Sequence, residues 1–304
     1  LAKGAAELLS EHIDPSDTRI QKLPDFILVF GGPLGNPRDS ARQLFLNWID
    51  IHRADLSEWV IKPEDYQDWN NLDGYQNLID FERDAICLTR AVVLFSESPG
   101  SHAELGAFCM DPMLSERLLV VISEQHYNAG SFIAKGPIKK IESLNDDSVC
   151  TVTDIKYPGI DNEMPGIIDS LDNKIKSLPR TMQLDLERKR DQFLLIADLI
   201  ELFGSLTITE MHELCRVAGF NTTIPHIKSM YGQLERFGIV ASIKKYTQRY
   251  YIPTARRFSF LNYKGKTANG KFDRLRFKTT VTFPWLSADK KRFEAYCNIH
   301  GEAA

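Results

Sequence analysis

The run Ala91-Val92-Val93-Leu94-Phe95 is apolar at every position, and it breaks at once into Ser96-Glu97-Ser98-Pro99-Gly100-Ser101. A short strand that is apolar on both sides belongs inside a parallel sheet covered by helices on either face. Serine, proline and glycine then bring turn chemistry, and the residues from Ser101 to Phe108 read as the opening of a helix. Open α/β sheets bind ligands in the crevice beyond the carboxyl ends of their strands. Glu104, in the first turn of that helix on this reading, is either a carboxylate facing the crevice or the far end of a capping box begun by Ser101. The spacing alone permits both.

The segments around this run keep alternating. Asp25 to Gly32 is a second buried strand, and its glycine pair, Gly31 and Gly32, lets the backbone approach a ligand closely. It is not G-x-G-x-x-G, so the dinucleotide fingerprint is absent. Helical spacing runs over 38–51 through Ala41, Leu44, Phe45, Trp48 and Ile49, and a short strand over 59–61 precedes a polar loop containing Trp and Tyr. Further strands are expected over 118–123 and 149–153, and a helix over 164–178 with Ile167, Ile168, Leu171 and Ile175 in its core. This order predicts a doubly wound α/β domain with a mainly parallel sheet over residues 20–178. A helix over 75–90 places Glu82 on the same face as Leu78, Ala85 and Ile86. A carboxylate in an apolar stripe is costly unless paired. Glu82 is therefore either the partner of an arginine or a site residue facing the same crevice as Glu104.

Beyond Pro179 and the charged run Asp185 to Asp191 the pattern changes. Three helices over 192–203, 209–218 and 223–237 lead into an alternating hairpin over 239–252, with Lys244, Lys245 and Arg249 near its tip. Helices and hairpin in that order predict an α+β, winged-helix-like second domain over 186–304. From Lys244 onward basic residues outnumber acidic ones, and aromatic residues are interleaved among them. Lys244, Lys245, Arg249, Arg256 and Arg257 are the candidate nucleic-acid contacts, since cations hold phosphates and aromatic rings stack bases. The alternative is a solvated face on a small β-rich tail.

Composition narrows the classes. The formal net charge of the 304 residues is only −4, so the basic stretch is a local segregation rather than a basic coat. The five cysteines stand far apart without a C-x-x-C pair, and the seven histidines show no metal spacing. Reduced core thiols are expected, with no structural metal and no cofactor. No apolar run reaches membrane-spanning length and no secretory signal is visible, which gives the expectation of a cytoplasmic protein with no membrane partner.

Two carboxylates facing one crevice suit cleavage of an N-glycosidic bond, one attacking or stabilising the sugar carbon and the other orienting a hydroxyl or handling a proton. Gly100 and the amides at the start of the following helix could receive a phosphate, and Ser96, Ser98 and Ser101 add hydroxyls. A nucleotide is thus a better substrate than a plain sugar. A regulator that senses a nucleotide without cleaving it, and a transferase that passes the sugar to an acceptor other than water, stay open.

Phe81-Glu82, the strand Val92 to Phe95 and Ser98-Pro99-Gly100-Ser101-His102-Ala103-Glu104-Leu105-Gly106 resemble the nucleoside deoxyribosyltransferase-like fold, and more closely its branch found as toxic effectors of bacterial retrons. Gly31-Gly32, Pro63-Glu64-Asp65, Ser131-Phe132-Ile133 and Gly136-Pro137 extend the likeness. The resemblance implies that Glu104 is the nucleophile and Glu82 its partner at the sugar. Gly31, Gly32, Glu64, Ser96, Ser98, Gly100 and Ser101 would line the substrate. It implies N-glycosidic cleavage of NAD or a related nucleotide, held in check by a complex of reverse transcriptase and its branched RNA–DNA product (msDNA). It also implies an oligomer. The acidic pair that transferases often place before the motif glycine is Ser98-Pro99 here, which points away from base exchange between deoxynucleosides.

Overall fold

A computed structural model describes residues 3–66, 75–179, 181–256, 258–267 and 270–301. The loop expected after Asp65 lies largely outside the described residues, and Arg257 lies outside them altogether. The chain forms two compact units: one takes in the described residues of 24–66 and 75–179, the other those of 3–23 and 181–301.

The first unit is built on five parallel strands: β1 (Ile27–Phe30), β2 (Val60–Ile61), β3 (Ala91–Phe95), β4 (Leu118–Ser123) and β5 (Val149–Val152), in the spatial order β2-β1-β3-β4-β5. Neighbouring strands run parallel throughout, so the sheet is wholly rather than mainly parallel. The strand order reverses between β1 and β3, and that reversal is the topological switch point of an open α/β sheet. Helices α1 (Ala41–His52), α2 (Leu78–Cys87), α3 (Pro99–Phe108) and α4 (Met164–Ser177) cover it. On one face Ile27, Val29, Val93, Phe95, Leu119 and Val121 pack with Phe45 and Ile49 of α1 and with Ile167 and Leu171 of α4. On the other, Phe30 meets Phe108 of α3 edge to face, at 5.1 Å between ring centroids. The right-handed crossover from β2 to β3 puts α2 on that second side as well.

Two details differ from the expected stripes. Leu78 is 42% exposed, and α2 instead buries Phe81, Glu82, Asp84, Ala85, Ile86 and Cys87. Asp84 is tolerated inside because its carboxylate accepts a hydrogen bond from the Tyr75 hydroxyl. On α4 the buried set includes Lys174, whose Nζ donates to the buried Ser148 Oγ at 2.6 Å while burial lowers its pKa to about 8.

The second unit contains the three helices and hairpin in the expected order: α5 (Lys189–Phe203), α6 (Ile208–Val217), α7 (Ile224–Arg236), then β6 (Val240–Lys245) antiparallel to β7 (Gln248–Pro253). Gly204 ends α5 at φ +74°, and Thr207 and Glu210 form a reciprocal capping box at the start of α6. The strand Ile13–Ile20, which carries no signal in the sequence, pairs antiparallel with Leu261–Gly265 and with Met182–Gln183. The tail is not β-rich. After Leu261–Gly265 it becomes helical, through Arg274–Phe277, Lys278–Thr282 and Phe283–Ser287 to α8 (Lys290–His300).

Candidate active site at the switch point

Glu104 is not a cap. The helix begins at Pro99, and its capping box is Ser98 with Ser101: Ser101 N–H donates to Ser98 Oγ at 3.1 Å, while Ser98 N–H donates to Ser101 Oγ at 3.0 Å. Proline at the first helical position needs no N–H partner, which lets the helix start three residues earlier than a Ser101 cap would allow. Glu104 thus lies in the second turn. Its Oε2 is buried without a hydrogen-bond partner, as is the hydroxyl of Ser96. Phe95 faces the α1 side, so by the two-residue period of a strand Ser96 faces the side of α2 and α3, where Glu82 and Glu104 reside.

Glu82 is 7% exposed and makes no ion pair or hydrogen bond among the described residues, so the arginine partner allowed by its sequence position is not there. Burial first, then the charges of Glu104 and Glu64, raise its pKa to about 8 against the opposing charge of Arg42. Burial raises Glu104 to about 7, Arg42 working against it and Glu64 with it. At neutral pH the pair therefore holds one proton firmly and a second loosely, so one carboxyl is a hydrogen-bond donor while the other titrates.

The arginine belongs to Glu64. Arg42, buried on α1, grips that carboxylate with both terminal nitrogens, at 2.7 Å from Nη1 to Oε1 and 2.5 Å from Nη2 to Oε2. Burial opposes the charge of Glu64, but Arg42 outweighs it and holds the carboxyl below its ordinary range. Arg42 Nη1 also approaches the Gly32 carbonyl at 3.4 Å. Sequence reasoning missed Arg42, which is separated from Glu64 by a whole helix and a strand and carries no local signal.

The glycine pair makes a close approach, but to the chain itself. A Cβ on Gly32 would stand 2.7 Å from the Ser40 Cβ, and one on Gly31 2.9 Å from the Arg42 Cβ. Ser101 is fully buried and spends its hydroxyl in the cap, whereas Gly100 is exposed at the helix start. Among the described residues no group of three or more His, Cys, Asp or Glu is arranged to hold a metal ion, and no helix is long and apolar enough to cross a membrane.

In the second unit the hairpin register sets Lys244 directly opposite Arg249 and Lys245 opposite Gln248. Lys244 and Arg249 thus share one face with Tyr251, which packs on Tyr231 of α7, while Lys245 points to the other. Arg256 is exposed. Most of the interleaved aromatics are not free to stack bases, because Tyr250, Tyr251, Phe258, Phe260, Tyr263 and Phe277 are buried in the core. Tyr246 at the tip is 79% exposed, with Lys291 Nζ 5.0 Å from its ring centroid.

Comparison with known proteins adds a lineage. The chain is 26% identical over 260 residues to the Escherichia coli protein named "Retron Ec73 putative ribosyltransferase/DNA-binding protein", covering 79% of this chain and 80% of that one. The correspondingly named Escherichia coli protein of retron Ec86 is 29% identical over 133 residues, 43% of this chain and 42% of its own. The family model described as STM3845 retron effector protein matches residues 38–242, a span that takes in every strand of the parallel sheet from β2 onward, both glutamates and the three helices that follow. With well over half of its length matched, the protein belongs to the STM3845 family of retron effectors.

Proposed function

We propose that this effector cleaves the N-glycosidic bond of NAD or a related nucleotide, with Glu104 as nucleophile and Glu82 as its partner at the sugar. The reading rests on one observation above the others: two carboxyls on neighbouring helices, on one side of the sheet at its switch point, whose pKa values are lifted to about 7 and about 8. The ionised Glu104 attacks the anomeric carbon as the carbon–nitrogen bond breaks, and the base leaves with the bonding pair. Water then attacks that carbon, gives up its proton and restores the Glu104 carboxylate. Glu82, protonated at neutral pH, donates a hydrogen bond to a sugar hydroxyl. Ser96, with a buried unpartnered hydroxyl, completes the sugar site, and Glu64 reaches it as half of an ion pair with Arg42. A net negative site favours a leaving base that carries positive charge, as a glycosylated pyridinium does.

The fold we assign to residues 20–178 is that of the nucleoside deoxyribosyltransferases, and residues 186–304 form a winged-helix-like module that meets msDNA or reverse transcriptase and holds the enzyme in check. Lys244 facing Arg249 supports this. Like charges directly opposed on a hairpin destabilise it, and an anion lying between them relieves the repulsion.

The names of the two Escherichia coli relatives favour a second reading, transfer of the sugar to an acceptor rather than to water. Incubation with NAD, deoxynucleosides and nucleotides, followed by chromatography of the free base, tests both. Glu104→Gln should lose at least about a thousandfold in base release while keeping its fold. Base released equally by the parent and by Glu104→Gln would remove Glu104 from the reaction. Base released without matching free sugar would identify a transferase, and a chemically unchanged ligand would favour a sensor.

A further inference from the structure

Glu97 leaves the turn after β3 and reaches back to the start of α1. Its carboxylate accepts hydrogen bonds from the backbone N–H of Gly32 at 2.8 Å, of Ala41 at 2.7 Å and of Arg42 at 3.1 Å. The last two are orphan donors of a helix amino end, the place where α/β folds take an anion. Glycine at 31 and 32 makes room for this visit, since a Cβ at either position would stand 3.0 Å from Glu97 Oε1. The third donor belongs to Arg42, the residue whose guanidinium grips Glu64 and whose charge acts on both Glu82 and Glu104. A line of contacts thus runs from the turn beside α3, through the first residues of α1, to the charged groups of the site.

We propose that Glu97 is a positioning residue: its carboxylate fills the anion site at the amino end of α1, fixes Arg42 and Glu64 beside the reacting pair, and turns substrate phosphates away from that helix. The proposal rests on the reading of Glu82 and Glu104 as that pair. Arg42 cannot hold its fork on Glu64 from a different backbone position, because a bidentate pair tolerates little displacement. A phosphate at α1 would have to displace a carboxylate already tethered to three amides, so the phosphates of a bound nucleotide lie elsewhere.

Glu97→Ala in the full chain empties the anion site, and acetate is the probe that refills it. The variant should melt below the parent. Sodium acetate should restore its melting temperature saturably, beyond sodium chloride at equal ionic strength, and leave the parent no better off than chloride does. Cleavage of NAD should fall on the order of 10–100-fold, in kcat more than in KM, and acetate should recover part of it. Glu97→Gln keeps the size but must turn an NH2 toward an N–H donor, so it should fold and lose kcat with KM nearly unchanged. A Glu97→Ala protein that melts and cleaves like the parent would overturn the proposal, as would a loss that chloride restores as well as acetate. Where Glu97→Ala fails to fold, unchanged kcat in Glu97→Gln would overturn it. A parent inactive on every substrate would sink the glycosidase reading instead, and the melting comparison would still decide whether Glu97 is the internal anion.

Discussion

Glu82 is a carboxylic acid at neutral pH because burial, Glu104 and Glu64 all act against its charge and only Arg42 favours it. Two measurements follow. The rate of base release should be bell-shaped in pH, rising as the pair loses its first proton near about 7 and falling as it loses the second near about 8. Glu82→Gln should abolish the alkaline limb and keep the acid one; an alkaline limb that survives would assign it to another group. Stability carries the same signature. Between the unfolded pKa of about 4.5 and the folded value of about 8 the native state binds the extra proton, so this carboxyl makes the fold less stable as pH rises through that window. Glu82→Gln should therefore raise the melting temperature at about pH 9 and leave it near the parent's at about pH 4. Equal shifts at both would show that packing, not charge, separates the variants.

At the scale of elements, the two turns at the switch point are fastened by the glycine pair and the half-buried carboxylate of Glu97. Gly32→Ala should cost about 1–3 kcal/mol in denaturant unfolding, because the added Cβ meets Ser40 at 2.7 Å and Glu97 at 3.0 Å with nowhere to move. An unchanged midpoint would mean that the turn relaxes freely. In the second unit α5 buries the acidic side chains of Asp198 and Glu201. Asp198 accepts from the backbone N–H of Phe260 at 2.7 Å and of Leu261 at 2.9 Å, and Arg274 joins Asp198 and Glu201, each at 2.6 Å. Arg274→Met removes the cation from Asp198, which keeps its two backbone donors, and leaves Glu201 with Lys278. It should destabilise the unit by about 3–5 kcal/mol, the usual cost of breaking a buried pair from one side. A loss near zero would indicate that water reaches both carboxylates.

At the scale of the whole molecule, the proposed contact with nucleic acid is tested through the hairpin. Replacing Lys244 and Arg249 together by Ala should weaken binding to a retron RNA–DNA product and lower the slope of log K against log salt by about 2, near one for each phosphate left without its cation. Lys245→Ala, on the opposite face, should change the slope less. A slope unmoved by all three would mean that the hairpin docks on protein. The parallel sheet is legible in the sequence because a buried strand is an unbroken apolar run: Ala91–Phe95 and Leu118–Ser123 have the ends the pattern predicts, and the three helices before the hairpin start and end within three residues of their expected spans. Glu82 is legible as a carboxylate out of place in an apolar stripe, whereas the spacing leaves Glu104 open between a cap and a crevice residue. The start of α3 is not legible, since Ser98 and Ser101 are equally good caps on paper and Pro99 settles the choice only when the chain is folded. Local periodicity also carries no word of the strand Ile13–Ile20, whose partners lie far off along the chain, or of the role of Arg42 and Glu97. Sequence by itself determined which segments must be buried, because burial is written in composition and period. Which charges meet was decided only by the tertiary structure, because a salt bridge or an anion site depends on distances between turns that are remote along the chain.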